Sequence, residues 1–153
     1  MITKAIQNAF NTAQRKNWDH TYWAFDIHGT IVYPNYSATK IPTTFYPYAK
    51  ECLQLISGRK DVVMILYTCS YPHEIEQYLK FFKEQGIHFR FVNQNPEVVN
   101  EAYGFYEQKF YFNVLFEDKS GFDPEQDWEK IYTMLKNNKT EACILPEMPA
   151  FIN

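Results

Sequence analysis

The chain has 153 residues, with 15 basic and 18 acidic side chains and a net charge of −3. That length suits one domain with a core of its own, and the 18% aromatic content excludes a disordered chain. The acidic balance excludes a protein held to nucleic acid by bulk positive charge, so nucleic acid stays open as a partner only through a local basic patch.

A single domain is expected over residues 1–153. It opens with a helix at 1–17, where Ile2, Ala5, Ile6, Ala9, Phe10 and Ala13 recur at helical spacing. Thr21–Asp26 reads as the first strand, and Tyr33–Pro42 as irregular. Thr44–Ser57 follows as a helix, with Ala49, Cys52, Leu53 and Ile56 on one face, Pro47 in its first turn and Gly58 as its stop. Val62–Thr68 is almost wholly apolar, as a central parallel strand covered on both faces must be. Pro72–Gln85 reads as a helix, Phe89–Val92 as a short strand and Asn93–Gln108 as irregular. Phe112–Glu117 is a strand and Pro124–Asn137 a helix. Ala142–Leu145 is assigned to an edge strand within a C-terminal tail at 138–153. Alternating strands and helices predict an α/β fold, a three-layer Rossmann-like sandwich around a mainly parallel sheet.

No apolar run approaches the ~20 residues of a membrane span, so no membrane partner is expected. Cys52, Cys69 and Cys143 are odd in number and far apart. They form no CxxC pair, which disfavours a zinc knuckle and a disulfide framework. The expected compartment is reducing, most simply the cytoplasm.

Ligands of open α/β sheets bind beyond the carboxyl ends of the strands. The sequence puts chemistry there. The first strand ends in Asp26-Ile27-His28-Gly29-Thr30, the second in Thr68-Cys69-Ser70, and the fourth in Glu117-Asp118 with Asp123 beyond; Lys109 precedes the fourth. Carboxylates suit a hard cation such as Mg2+, while lysine and threonine suit phosphate. Thr68 and Ser70 are also placed to cap the helix that opens near Pro72, a role compatible with anion binding. Asp123 is equally placed to cap the last helix ahead of Pro124. Glu117 is the weaker metal candidate, because strand residues alternate sides. His20, His73 and His88 show no metal-ligand spacing.

These motifs resemble those of the haloacid dehalogenase-like superfamily of Asp-nucleophile phosphohydrolases. Phe25–Ile31 is similar to the family's first motif, Ile65–Thr68 to the second, Lys109 to the third, and Phe116–Asp118 with Asp123 to the fourth. The resemblance implies that Asp26 is the nucleophile and a Mg2+ ligand. It implies that position 28 gives the metal its backbone carbonyl and that Asp118 binds the metal, assisted by Asp123 or Glu117. Thr68 would hold a phosphoryl oxygen, with Gly29 and Cys69 beside the phosphate, and Lys109 would neutralise Asp26 and the phosphate. The expected activity is Mg2+-dependent phosphoester hydrolysis through an aspartyl-phosphate.

The departure is His28, where the phosphatase branch carries a second acid/base Asp. Three readings follow: His28 does the proton work, His28 only positions substrate, or the site is a non-catalytic binding module. The motif spacings leave no room for a full cap domain. An open site of this kind would take a phosphorylated small molecule or macromolecule, and association into a homo-oligomer is one way to cover it. Aromatics in Ile31–Pro42 and Asn93–Gln108 would wall the site, stacking on substrate or simply packing the loops.

Overall fold

The computed structural model describes residues 1–144. The amphipathic N-terminal segment forms α1 (Ile2–Lys16), and Asn17 closes it in a left-handed conformation. The order then runs β1 (Thr21–Phe25), α2 (Ala49–Ser57), β2 (Val62–Leu66), α3 (Pro72–Glu84), β3 (Phe91–Val92), β4 (Val114–Phe116), a short 3-10 helix at Asp118–Ser120, and α4 (Asp127–Ile144). The four strands form one parallel sheet in the order β3-β2-β1-β4. The molecule is thus the α/β Rossmann-like sandwich expected from the alternation of elements.

Its two faces differ in construction. Trp23, Phe25, Met64, Leu66, Val114 and Phe116 point to one face. There they pack with Ile6, Leu53, Ile56, Tyr78, Phe82, Trp128 and Ile131, so α1, α2, α3 and α4 all contribute to one core. Tyr22, Val63 and Ile65 point the other way and pack against Phe91, Val98, Phe110 and Tyr111. The connection rule explains the asymmetry. The steps β1–β2–β3 advance in one direction, so right-handed crossovers put α2 and α3 on the same face. The return from β3 past β2 and β1 to β4 goes backwards and must cross the opposite face. Residues 93–113 make that return without a helix.

The strands are shorter than expected, β2 ending at Leu66, β3 starting at Phe91 and β4 spanning only Val114–Phe116, and the larger shifts are in the helices. The helix expected from Thr44 begins at Ala49, because Phe45 pairs with Val32. The Thr44 carbonyl accepts from Tyr33 N–H at 2.9 Å, and Tyr46 N–H donates to the Ile31 carbonyl at 3.0 Å. These bonds hold 44–46 extended, and Tyr48, at φ 66°, turns the chain into α2 in place of the expected Pro47 entry. The last helix begins at Asp127 rather than Pro124 and runs on to Ile144. The edge strand assigned to Ala142–Leu145 is therefore corrected. Its first three residues are the end of α4, where the backbone N–H groups point along the helix and not toward a sheet edge, and Leu145 lies outside the described residues. The remaining tail expectations also lie outside them.

Candidate functional site

Parallel strands deliver their carboxyl ends to one edge, and Asp26 stands there one residue beyond β1. Its N–H donates to the Phe116 carbonyl at 2.9 Å, so the chain leaves β1 and β4 side by side. A tight turn follows. The N–H groups of Thr30, Ile31 and Val32 all donate to the Ile27 carbonyl, at 3.3, 2.8 and 3.2 Å. Gly29 sits in this turn at φ 76°, and a Cβ there would lie 3.0 Å from Asp118 Oδ2. Glycine is required twice over, by the left-handed backbone and by the approach of the carboxylate.

Thr30 is fully buried and joins the two acidic loops. Its Oγ1 donates to Asp26 Oδ2 at 3.1 Å and accepts from Asp118 N–H at 3.1 Å. Its own carbonyl accepts from the Trp128 indole N–H at 2.7 Å. A residue of α4 therefore fixes the turn that fixes Asp26. Thr30 has no role among the expected site residues; its signal in the chain is a hydroxyl four residues after an aspartate, within a turn.

Asp26, Glu117 and Asp118 each offer a carboxylate oxygen within 4.8 Å of the others. The strand alternation that disfavours Glu117 ends with β4 at Phe116. The 3-10 helix then starts, and its turn brings both acids toward Asp26. Asp123 stays out of this cluster. Its Oδ1 accepts from Glu125 N–H at 3.1 Å, its N–H donates to Asp127 Oδ2 at 2.9 Å, and it shapes the entry to α4. The cap expected of it ahead of Pro124 is replaced by this turn, because α4 starts only at Asp127.

Burial and crowding raise the proton affinity of two of these groups, Asp26 and Glu117. Burial pushes Asp26 above its usual range, aided by the Asp118 charge and opposed by hydrogen bonds from the Ile27 backbone and Thr30. Burial and the neighbouring Asp118 and Asp26 carboxylates push Glu117 up to about 7. Among the described residues no lysine or arginine pairs with these acids. Three hard oxygen donors without a paired lysine or arginine could hold a metal ion. The residues that would hold it are Asp26, Asp118 and Glu117, with the His28 carbonyl on the same turn.

The other expected site residues are placed as follows. Thr68 lies just beyond β2, nearly buried. Its N–H and carbonyl are bracketed by the Asn93 amide at 2.8 and 2.7 Å. Thr68 Oγ1 meets Ser70 Oγ at 2.8 Å and accepts from Ser70 N–H at 3.1 Å, a bond within the loop; the cap of α3 expected of Thr68 and Ser70 is replaced by Tyr71 at the N-cap position, whose N–H donates to Glu74 Oε1 at 3.0 Å. Cys69 is an exposed free thiol on the same loop. Lys109 is exposed in the return segment, its Nζ 5.5 Å from the Phe112 ring centroid. The His28 ring is turned toward α3, where Nε2 hydrogen-bonds the Tyr78 hydroxyl. Tyr78 is fully buried, and burial pushes its phenol well above the ordinary value, so it stays protonated. Helical periodicity marks Tyr78 only as core; its hydroxyl is the signal for this second role.

Of the expected walls, Tyr33 is turned inward, its ring 3.9 Å from that of Tyr46 and its hydroxyl on Glu125 at 3.0 Å. Tyr67, next to Thr68, packs edge-on against Phe110 at 5.9 Å. No helix among the described residues is long and apolar enough to cross a membrane.

No known protein family matches the chain, and no curated protein does. Among solved structures, the fold is similar to that of a conserved protein coded by a locus of Bacteroides thetaiotaomicron. The TM-score is 0.57 at 25% identity, over 82% of this chain and 97% of the other. This likeness supports the α/β class defined by the sheet order, with nearly the whole of the other chain matched.

Proposed function

We propose that the chain is a Mg2+-dependent phosphohydrolase of the haloacid dehalogenase-like type, with Asp26 as nucleophile. The observation that carries the reading is the Thr30 clamp, a buried hydroxyl that sets Asp26 and Asp118 side by side at the carboxyl edge of the sheet. Phosphoryl transfer asks mainly for positioning and charge stabilisation, and a clamped nucleophile beside a cation-binding carboxylate meets that need.

In the first step the free Asp26 oxygen attacks phosphorus as the bond to the leaving oxygen breaks, giving an aspartyl-phosphate. In the second, water cleaves that acyl phosphate, releasing phosphate and restoring the carboxylate. Thr30 holds the Oδ2 oxygen, so the nucleophile keeps one orientation through both steps. Thr68 stands on the adjacent loop as a phosphoryl partner. When bound, Mg2+ neutralises charge on the phosphoryl oxygens.

The test is phosphate release from p-nitrophenyl phosphate with Mg2+. Asp26→Asn is expected to reduce the rate at least ~10³-fold, because it removes the covalent route. A rate unchanged by Asp26→Asn overturns the proposal.

A second reading, a binding module that keeps the cation site without turnover, is favoured by two observations. His28 Nε2 is engaged by Tyr78, and Lys109 lies over Phe112 rather than beside Asp26. It predicts Mg2+ binding with no aspartyl-phosphate mimic formed by beryllium fluoride. Trapping of that mimic on Asp26 decides against it.

A further inference from the structure

We propose that a cavity at the amino-terminal edge of the sheet, opposite the carboxylate cluster, is a binding site for a substituted ammonium group. The cavity has a volume of about 310 Å³ and lies between the α1–β1 connection and the return segment. That size falls in the range of small-ligand sites.

Its wall is a chain of five aromatic rings. Trp18 and Tyr103 lie 5.6 Å apart between ring centroids, Tyr103 and Tyr111 5.3 Å, Tyr111 and Tyr22 6.3 Å, and Tyr22 and His20 5.2 Å. Successive rings are tilted by 45° or stand near-perpendicular, so they curve round a space rather than stack into a block. Tyr103 is 60% exposed at the rim, whereas Tyr22 is 8% exposed at the base.

The charge of the lining selects the ligand. Asp19 and Glu97 are acidic, and among the described lining residues there is no lysine or arginine. Glu97 is oriented by its neighbours. Arg90 takes Oε2 at 2.7 Å from outside the lining, while Oε1 accepts from the Tyr22 hydroxyl at 3.2 Å and lies 3.4 Å from His20 Nε2. Aromatic rings together with carboxylates favour a soft organic cation over phosphate or carboxylate ligands. The Trp18 ring already draws a cation, the ammonium of Lys16, whose Nζ lies 5.5 Å from the ring centroid. Substituted ammonium groups suit such a cup, because alkyl groups lower the cost of leaving water while the charge still meets the rings.

The site is independent of the phosphohydrolase reading and is tested without it. Choline is titrated into the full-length protein by calorimetry, with 3,3-dimethylbutan-1-ol, its neutral carbon isostere, as comparison. Saturable choline binding is expected, with the isostere at least ~10-fold weaker, the difference a desolvated cation–π contact supplies. Tyr103→Ala, at an exposed rim position that spares the core, is expected to weaken choline ~5-fold or more. Glu97→Gln is expected to weaken choline and leave the isostere unchanged. The proposal is overturned if choline does not saturate, if the isostere binds as well, or if Tyr103→Ala binds choline like the parent chain.

Discussion

The two faces of the sheet solve the same covering problem by different means. On one, four helices bury large apolar side chains, with Phe116 and Trp128 stacked parallel at 5.7 Å between ring centroids. On the other, a helix-free segment is pinned by polar hooks. Buried Asn95 donates its Nδ2 to the Tyr111 carbonyl at 2.9 Å and accepts from Glu97 N–H at 3.2 Å. Asn113 accepts from Tyr22 N–H at 2.8 Å and donates to the Tyr111 hydroxyl at 2.9 Å. A helix satisfies its own backbone, so its side chains are free to be apolar. An irregular segment must find partners for its backbone groups, and short amides supply them. The aromatic excess serves both faces, as core on one and as cup and cover on the other.

The sharpest way to break this comparison is Trp128→Ala. It removes a fully buried indole and the donor to the Thr30 carbonyl, and is expected to cost about 3–5 kcal/mol by urea denaturation. A loss below ~1 kcal/mol would mean that the helix face is not the main source of stability. Asn95→Ala asks the same of the other face. It leaves two backbone groups unpartnered, and about 1–3 kcal/mol is expected. Faster hydrogen exchange confined to 93–113 would show that the hook holds that segment alone.

The smallest effect is a pH slope. Although burial works against it, the Arg90 hydrogen bond and charge hold the Glu97 carboxyl below its usual 4.5. A lowered folded value means that the pair's contribution is fully present above the unfolded value and is lost as pH falls through the folded one. Arg90 is 53% exposed, so under ~1 kcal/mol is at stake. Glu97→Gln should flatten the fall of Tm with acidification below pH ~5, its small loss of Tm appearing near pH 7 and vanishing in acid. An unaltered slope would remove Glu97 from the account of the return segment.

The same contrast explains what was legible beforehand. Helices and central strands announce themselves through local periodicity, so α1, α3, β1 and β2 fall close to their expected places. The start of α2 does not, because a pairing with Val32, more than ten residues upstream, outweighs the local pattern around Pro47. Asp26 and Asp118 stand out as acids at strand ends. Glu117 and Thr30 needed knowledge of where β4 stops and what reaches back from it. The aromatic cup joins residues 17–22 to residues 97–113, a meeting that no window of sequence contains.

The Trp128 bond to Thr30 has a consequence for how the chain is made. Synthesis delivers Asp26 early, whereas Asp118 and Trp128 emerge in the last quarter of the 153 residues. Until then the turn at 27–32 lacks its anchor, and Asp26 lacks its acidic neighbour. The cluster of Asp26, Glu117 and Asp118 is therefore assembled late, when β4 and α4 dock on the strand that Asp26 ends.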